Sequence, residues 1–241
     1  MDIARIGTLL GPFLEQPLPP FRLDQISIYI DLLLRWNARI NLTAIRRPEE
    51  IVTRHFGESF FLARHLFPRP PERSRVIHEA DGAAESNDPY SLQPPAPHPP
   101  RVLDIGSGAG FPAIPIKFWA PHIHLTLVES NHKKAAFLRE VARTLTLTDV
   151  NVISDRAEVL AARPDFPRAD VVTLRAVEHF ETILPQAVTL LAPAATLAVL
   201  IGVSQIPHLT TLTTVKLLPP IPVPKSHARV LSIGVRRLSG K

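Results

Sequence analysis

The 241-residue chain contains no cysteine. That absence excludes disulfides, thiolate metal sites and a cysteine nucleophile, so any chemistry rests on other groups. Long apolar runs are missing too: ATLAVLIGV at 195–203 falls well short of the roughly 20 residues that span a bilayer and reads as a buried strand. MDIARIGTLLGPFLEQ at the start shows no charged leader followed by a long apolar region and a small-residue cleavage site. A cytoplasmic protein with no membrane contact is therefore expected. Neither charge sign dominates, since 27 Lys+Arg against 22 Asp+Glu leaves +5, a tilt that permits a nucleic-acid partner without requiring one. Glycine is scarce as well, at 10 residues, yet Gly106, Gly108 and Gly110 crowd into five positions.

What is present divides the chain into three segments. Ile26, Ile30, Leu33, Leu34 and Ile40 recur at near-helical spacing and predict a helix over Leu23–Ile40. A second helix is expected from Pro48, which suits a first turn, through Glu49 and Glu50 to a stop at Pro68. Residues 1–67 thus read as a helical subdomain. Nine of the 26 prolines lie in 68–100, around the polar HEADGAAESNDPYSLQ, and this segment reads as a flexible insertion or linker. From Arg101 to Lys241 strands alternate with helices: RVLDIG, IHLTLVE, VNVISD, ADVVTLRA and ATLAVLIG are strand-like, with stretches such as HKKAAFLREVARTLTL between them. The alternation predicts an α/β domain with a mostly parallel sheet, and TTVKLLP and ARVLSIGVRR predict an antiparallel C-terminal addition.

The glycines follow the first of these strands and precede a helix, where ligands bind in open α/β sheets. Their spacing is G-x-G-x-G; the dinucleotide pattern G-x-G-x-x-G would need glycine where Phe111 stands, and no Gly-Lys-Ser/Thr makes a phosphate loop. Asp104 precedes the loop, and Glu129 ends the next strand. A carboxylate at Glu129 can accept from two ribose hydroxyls while Asp104 helps position an amino group, which is the set S-adenosylmethionine asks for. A tight turn whose glycines serve only helix-sheet packing is the competing reading.

RWNARINLTAI at 35–45, EEIVTRHFGES at 49–59, VLDIGSGAGFPAIPIKFWAP at 102–121, LVESNHKKAAFLREV at 127–141, SDRAE at 154–158 and TLRAVEHF at 173–180 together resemble the bacterial 16S ribosomal RNA guanine-N7 methyltransferases, the RsmG or GidB family. The resemblance implies a Rossmann-like S-adenosylmethionine-dependent methyltransferase fold with an N-terminal helical extension. It implies S-adenosylmethionine as cofactor and 16S ribosomal RNA or the small subunit as partner, and we expect a monomer. Carried over by motif, the cofactor contacts would be Gly106 and Phe111 in the glycine loop, with Asp104, Gly108 and Gly110 beside them, then Glu129, Ala157, Glu158 and Arg175. For Arg175, contact with the cofactor's carboxylate or an RNA phosphate competes with plain pairing to Glu178 or Asp170. RNA-binding candidates are Arg35, Arg39, Arg46, Arg47, Arg54 and His55 in the helical region, and Arg229, Arg236, Arg237 and Lys241 near the end. Trp36 reads as core, and Asn37 as a helix-end tie.

Guanine N7 carries a lone pair and no proton, so methyl transfer to it needs positioning rather than a general base; no catalytic residue and no metal is expected. The resemblance departs at Ile201-Gly202, where the family commonly has Lys-Gly, and in the length of the Pro-rich segment. Two other readings therefore stay open: a small-molecule methyltransferase on the same fold, and a ribosome-binding module that has lost turnover.

Overall fold

The computed structural model describes residues 1–68 and 98–238. Residues 69–97 of the insertion expected over 68–100, and Lys241, lie outside the described residues.

Three N-terminal helical stretches lead into the sheet. Helix α1 (Ile3–Leu10) is capped by Asp2, whose carboxylate accepts from the Arg5 amide, and it buries Ile6 and Leu10. The second stretch, α2, runs over Pro20–Asn37 rather than the expected Leu23–Ile40. It starts earlier because Pro20 takes the first-turn position that needs no amide donor. It stops at Asn37 because that side chain turns outward along the chain, accepting from the Leu42 and Thr43 amides and donating to the Thr43 carbonyl. The third stretch is continuous from α3 (Pro48–Glu50) through a π-helical segment (Ile51–Gly57) into α4 (Glu58–Leu66). The wide π turn was not anticipated.

Strands β1 (Arg101–Ile105), β2 (His124–Val128), β3 (Val150–Ile153), β4 (Ala169–Arg175) and β5 (Leu191–Gly202) alternate with α5 (Ala113–Trp119), α6 (His132–Thr144), α7 (Ala157–Ala162) and α8 (Phe180–Thr189). After a short α9 (Ile206–Leu209) come β6 (Val215–Leu217), β7 (Ile221–Pro222) and β8 (Arg229–Arg236). The order is β3-β2-β1-β4-β5-β8-β6, with β7 on β8. Pairings among β1 to β5 are parallel, and β8 is antiparallel to β5, β6 and β7. Chain order reverses between β1 and β4, which opens a crevice at their carboxyl ends.

Strand periodicity sends alternate residues to opposite faces. Val102, Leu125, Leu127, Ala198 and Leu200 pack under α5, α6 and the N-terminal helices. Leu103, Ile105, Leu197, Val199 and Ile201 pack on the other face with α7 and α8. One polar feature holds the α5–β2 connection: the buried Lys117 ammonium donates to the Pro121 and Ile123 carbonyls at 2.8 and 2.6 Å. This satisfies a buried cation, which is otherwise costly.

Candidate active site

At the crevice the chain leaves a cleft of about 1130 Å³. Its floor is the glycine loop after β1, where Gly106, Gly108 and Gly110 all adopt positive φ. Glu129, 7% exposed at the end of β2, faces the loop. Its Oε2 accepts from the Gly108 amide at 2.8 Å and its Oε1 from the Asn131 amide at 2.8 Å. Each carboxylate oxygen keeps a second lone pair for a ligand hydroxyl. Gly106, Gly108, Phe111, Glu129, Ala157, Glu158 and Arg175 all border the cleft.

Two expected contacts do not border it. Asp104 lies beneath the floor, 1% exposed; Oδ1 accepts from Thr173 Oγ1 at 2.6 Å, and Oδ2 is buried without a partner. Burial pushes the Asp104 carboxyl up to about 7, against the hydrogen bonds from Thr173 and Ser107, which hold it down. Gly110 faces the helices. A β-carbon there would collide with the Tyr29 hydroxyl and approach Ile114 Cγ1 to 2.9 Å. The packing reading of the glycines thus fits this one; Gly106 and Gly108 border the cleft, but a β-carbon at Gly106 would meet Val177 Cγ1 at 2.7 Å, whereas Gly108 has room for one.

Aromatic rings from the N-terminal helices brace the loop from behind. The Tyr29 hydroxyl donates to the Ala109 carbonyl at 2.6 Å, and its ring stacks on Phe111 at 5.4 Å. His55 stacks on Phe111 at 4.7 Å, and Phe56 meets it edge-on at 5.0 Å. Burial, with the positive Arg175 and Arg54 nearby, lowers the His55 ring to about 3 and keeps it neutral. His55 Nε2 lies 2.9 Å from Thr43 Oγ1.

Arg175 closes the opposite side. Its carboxylate partner is Glu58, not Glu178 or Asp170: Nη2 meets Glu58 Oε2 at 2.9 Å and also donates to the Arg54 carbonyl. Asp170 instead accepts from the Arg101 amide. Arg229 reaches the same Glu58 oxygen at 2.8 Å. Burial pushes the Glu58 carboxyl up, and the Arg175 and Arg54 charges hold it back.

The basic candidates separate. Arg54, His55 and Arg229 border the cleft, whereas Arg35, Arg39, Arg46 and Arg47 are exposed away from its lining. Arg229 pairs in register with Gly202 at the site end of β8, and Arg236 lies at the other end opposite Val215, donating to the Leu191 carbonyl. Arg237 follows it there. Ile201 is 3% exposed on the cleft wall, and the arginines that border the cleft come from other elements, Arg229 from the β8 strand beside it. Trp36 packs edge-on against Phe137 at 5.7 Å, as a core residue does. Tyr29 and Glu58 were missed from the sequence; Glu58 at four residues past Arg54 shares its helix side, a faint signal, and Tyr29 carried none.

An α/β sheet with its order reversal at β1 and β4, a glycine loop, and an acid ending β2 define a Rossmann-like methyltransferase fold with an N-terminal helical extension. Residues 22–71 and 92–216 match the family described as rRNA small subunit methyltransferase G, GidB. The chain belongs to that family. It is 38% identical over 184 residues to "Ribosomal RNA small subunit methyltransferase G" of Roseiflexus castenholzii, covering 76% of this chain and 64% of the relative. To the protein of that name from Bacillus subtilis it is 32% identical, over 69% and 58%. This chain therefore spans less than two thirds of the length of these relatives. A solved SAM-dependent methyltransferase from Aquifex aeolicus is 15% identical, covers 58% of this chain and 83% of its own, and has a TM-score of 0.48. None of the described helices is long and apolar enough to cross a membrane.

Proposed function

We propose that this protein transfers the methyl group of S-adenosylmethionine to N7 of a guanine in small-subunit ribosomal RNA. Family membership supports the reaction class. The observation that carries the cofactor assignment is Glu129, fixed by the Gly108 and Asn131 amides at the cleft floor with lone pairs to spare. A buried carboxylate oxygen of Asp104 without a partner, just beneath, fits the amino end of such a ligand through a bridging water. The donor set fits S-adenosylmethionine: Glu129 would take the ribose hydroxyls, the Ala157 amide and Glu158 the adenine edge, and Phe111 an apolar contact.

S-adenosylmethionine, when bound, supplies a methyl group on a positively charged sulfur. The chain's own residues then orient and exclude water. No proton leaves N7, so no side chain need accept one; alignment of the acceptor with the donor carries the rate. His55, on the cleft lining, stays neutral and so would add no positive charge to a site holding a sulfonium. The guanine enters as an unpaired base, because N7 of a stacked, paired base cannot reach a cleft floor.

The test is transfer of labelled methyl to unmodified small subunits, followed by cleavage mapping selective for N7-methylguanine. One modified guanine is expected. Absence of transfer while calorimetry shows intact cofactor binding would refute the substrate assignment in favour of a small molecule or a binding role. Glu129→Ala should weaken S-adenosylmethionine on the order of 100-fold, the loss of two charge-assisted hydrogen bonds; unchanged affinity would refute the site.

A further inference from the structure

Building on the RNA-substrate reading, we propose that Arg54 and Arg229, organised around Glu58 and Arg175, form a receptor for one phosphate of the RNA strand beside the target base. The parts come from segments far apart in sequence. Glu58 opens α4 and is 3% exposed. Its Oε2 takes Arg175 Nη2 at 2.9 Å and Arg229 Nη1 at 2.8 Å. Arg54 stands four residues earlier; its carbonyl accepts from Arg175, and its positive charge acts on His55, Glu58 and Arg175 alike.

Three guanidinium groups thus gather about one carboxylate. Arginine does not shed its proton in proteins, so the excess positive charge must be met by water or by an anion. Arg54 is exposed at the cleft and, among the described residues, forms no ion pair; Arg229 is 25% exposed at its side chain and uses Nη1 on Glu58. Arg175 Nη1 is buried at the same corner with no partner. A guanidinium fork matches two phosphate oxygens at once, and Glu58 holds two of the three forks in place beforehand.

The placement separates this corner from the cofactor floor. Glu129 ends β2 and Arg229 begins β8, four strand positions away in the sheet. At a spacing of about 4.8 Å between strands that is roughly 19 Å along the crevice. A base reaching the floor between them leaves its backbone at the arginine side.

The probe is unmodified small-subunit ribosomal RNA, titrated with the full chain over a range of salt. Arg54→Gln and Arg229→Gln should each weaken RNA binding about 10-fold and reduce the salt slope by about one, while S-adenosylmethionine affinity by calorimetry stays within about twofold. Arg54→Lys should restore part of the affinity. Arg54→Gln guards against misfolding as the cause, since that side chain is exposed and, among the described residues, makes no ion pair. RNA affinity and slope unchanged in both variants would overturn the phosphate site and leave Arg229 a structural partner of Glu58. Loss of cofactor affinity with RNA binding intact would overturn it differently, giving these arginines to the cofactor's carboxylate. A wild-type chain that neither binds nor methylates the RNA would sink the substrate reading itself; wild-type binding with unaffected variants sinks only this site.

Discussion

Replacing Gly110 by alanine separates the structural glycine from its neighbours in the loop. At φ +82° a β-carbon is strained by about 1–2 kcal/mol before any contact is considered. That carbon would also strike the hydroxyl of Tyr29, a fully buried ring whose hydroxyl donates to the Ala109 carbonyl at 2.6 Å. Moving Tyr29 breaks a buried hydrogen bond, at about 1 kcal/mol, and disturbs the ring stack on Phe111, with overpacking of about 1–3 kcal/mol. Together these make a loss of about 3–6 kcal/mol, or on the order of 10 °C in melting temperature for a chain of this size. Gly108→Ala is the control. Its φ is +53°, but the nearest atom to a new β-carbon is the Gly106 carbonyl oxygen at 3.7 Å, an ordinary contact. It should lose about 1 kcal/mol and show its effect in S-adenosylmethionine affinity instead. Thermal melts and urea titrations of both variants read the difference. Equal shifts in the two, or a Gly110→Ala melt at the wild-type temperature, would refute the division of labour within the loop.

Three further outcomes are expected. Glu58→Ala leaves Arg175 buried without its carboxylate and should destabilise by about 3–5 kcal/mol in urea unfolding, with an unchanged midpoint counting against the ion triad. For pH, His55 is held at about 3 in the folded chain against an ordinary 6.5, so its contribution is complete above 6.5 and is lost as pH falls toward 3. His55→Gln removes that loss: from pH 7.5 to 5.0 the wild type should decline by about 2 kcal/mol relative to the variant, and parallel pH profiles would refute it. Asp104 runs the opposite way. Raised to about 7 from 3.8, its contribution is complete below 3.8 and is lost as pH rises to 7. Asp104→Asn should therefore gain about 3 kcal/mol on the wild type between pH 5 and 8, and a constant difference between the two would count against it.

Much of this protein was written locally. Apolar stretches between helical ones marked the strands β1 to β5, and a period of two then sends alternate side chains to opposite faces without reference to the rest of the chain. Pro48 set the start of a helix, and the glycine cluster marked the β1–α5 turn where side chains cannot follow. Glu129 was legible as a strand-end acid. The end of α2 came three residues early because Asn37 prefers the amides of Leu42 and Thr43 to another helical turn, a local competition that periodicity does not register.

Tertiary structure decided which of those residues meet. Gly110 looks like Gly106 and Gly108 in sequence, and the arrival of Tyr29 from 81 residues away, together with Ile114 and Leu138, makes it a packing position. Arg175 finds Glu58 across 117 residues, and Arg229 finds it across 171. Arg229 and Arg236 are near neighbours in sequence, yet seven residues of extended chain, roughly 23 Å, put them at opposite ends of one strand. Local pattern specifies an element and its buried face; the order and direction of strands in the sheet, which depend on every crossover at once, choose the partners at the cleft.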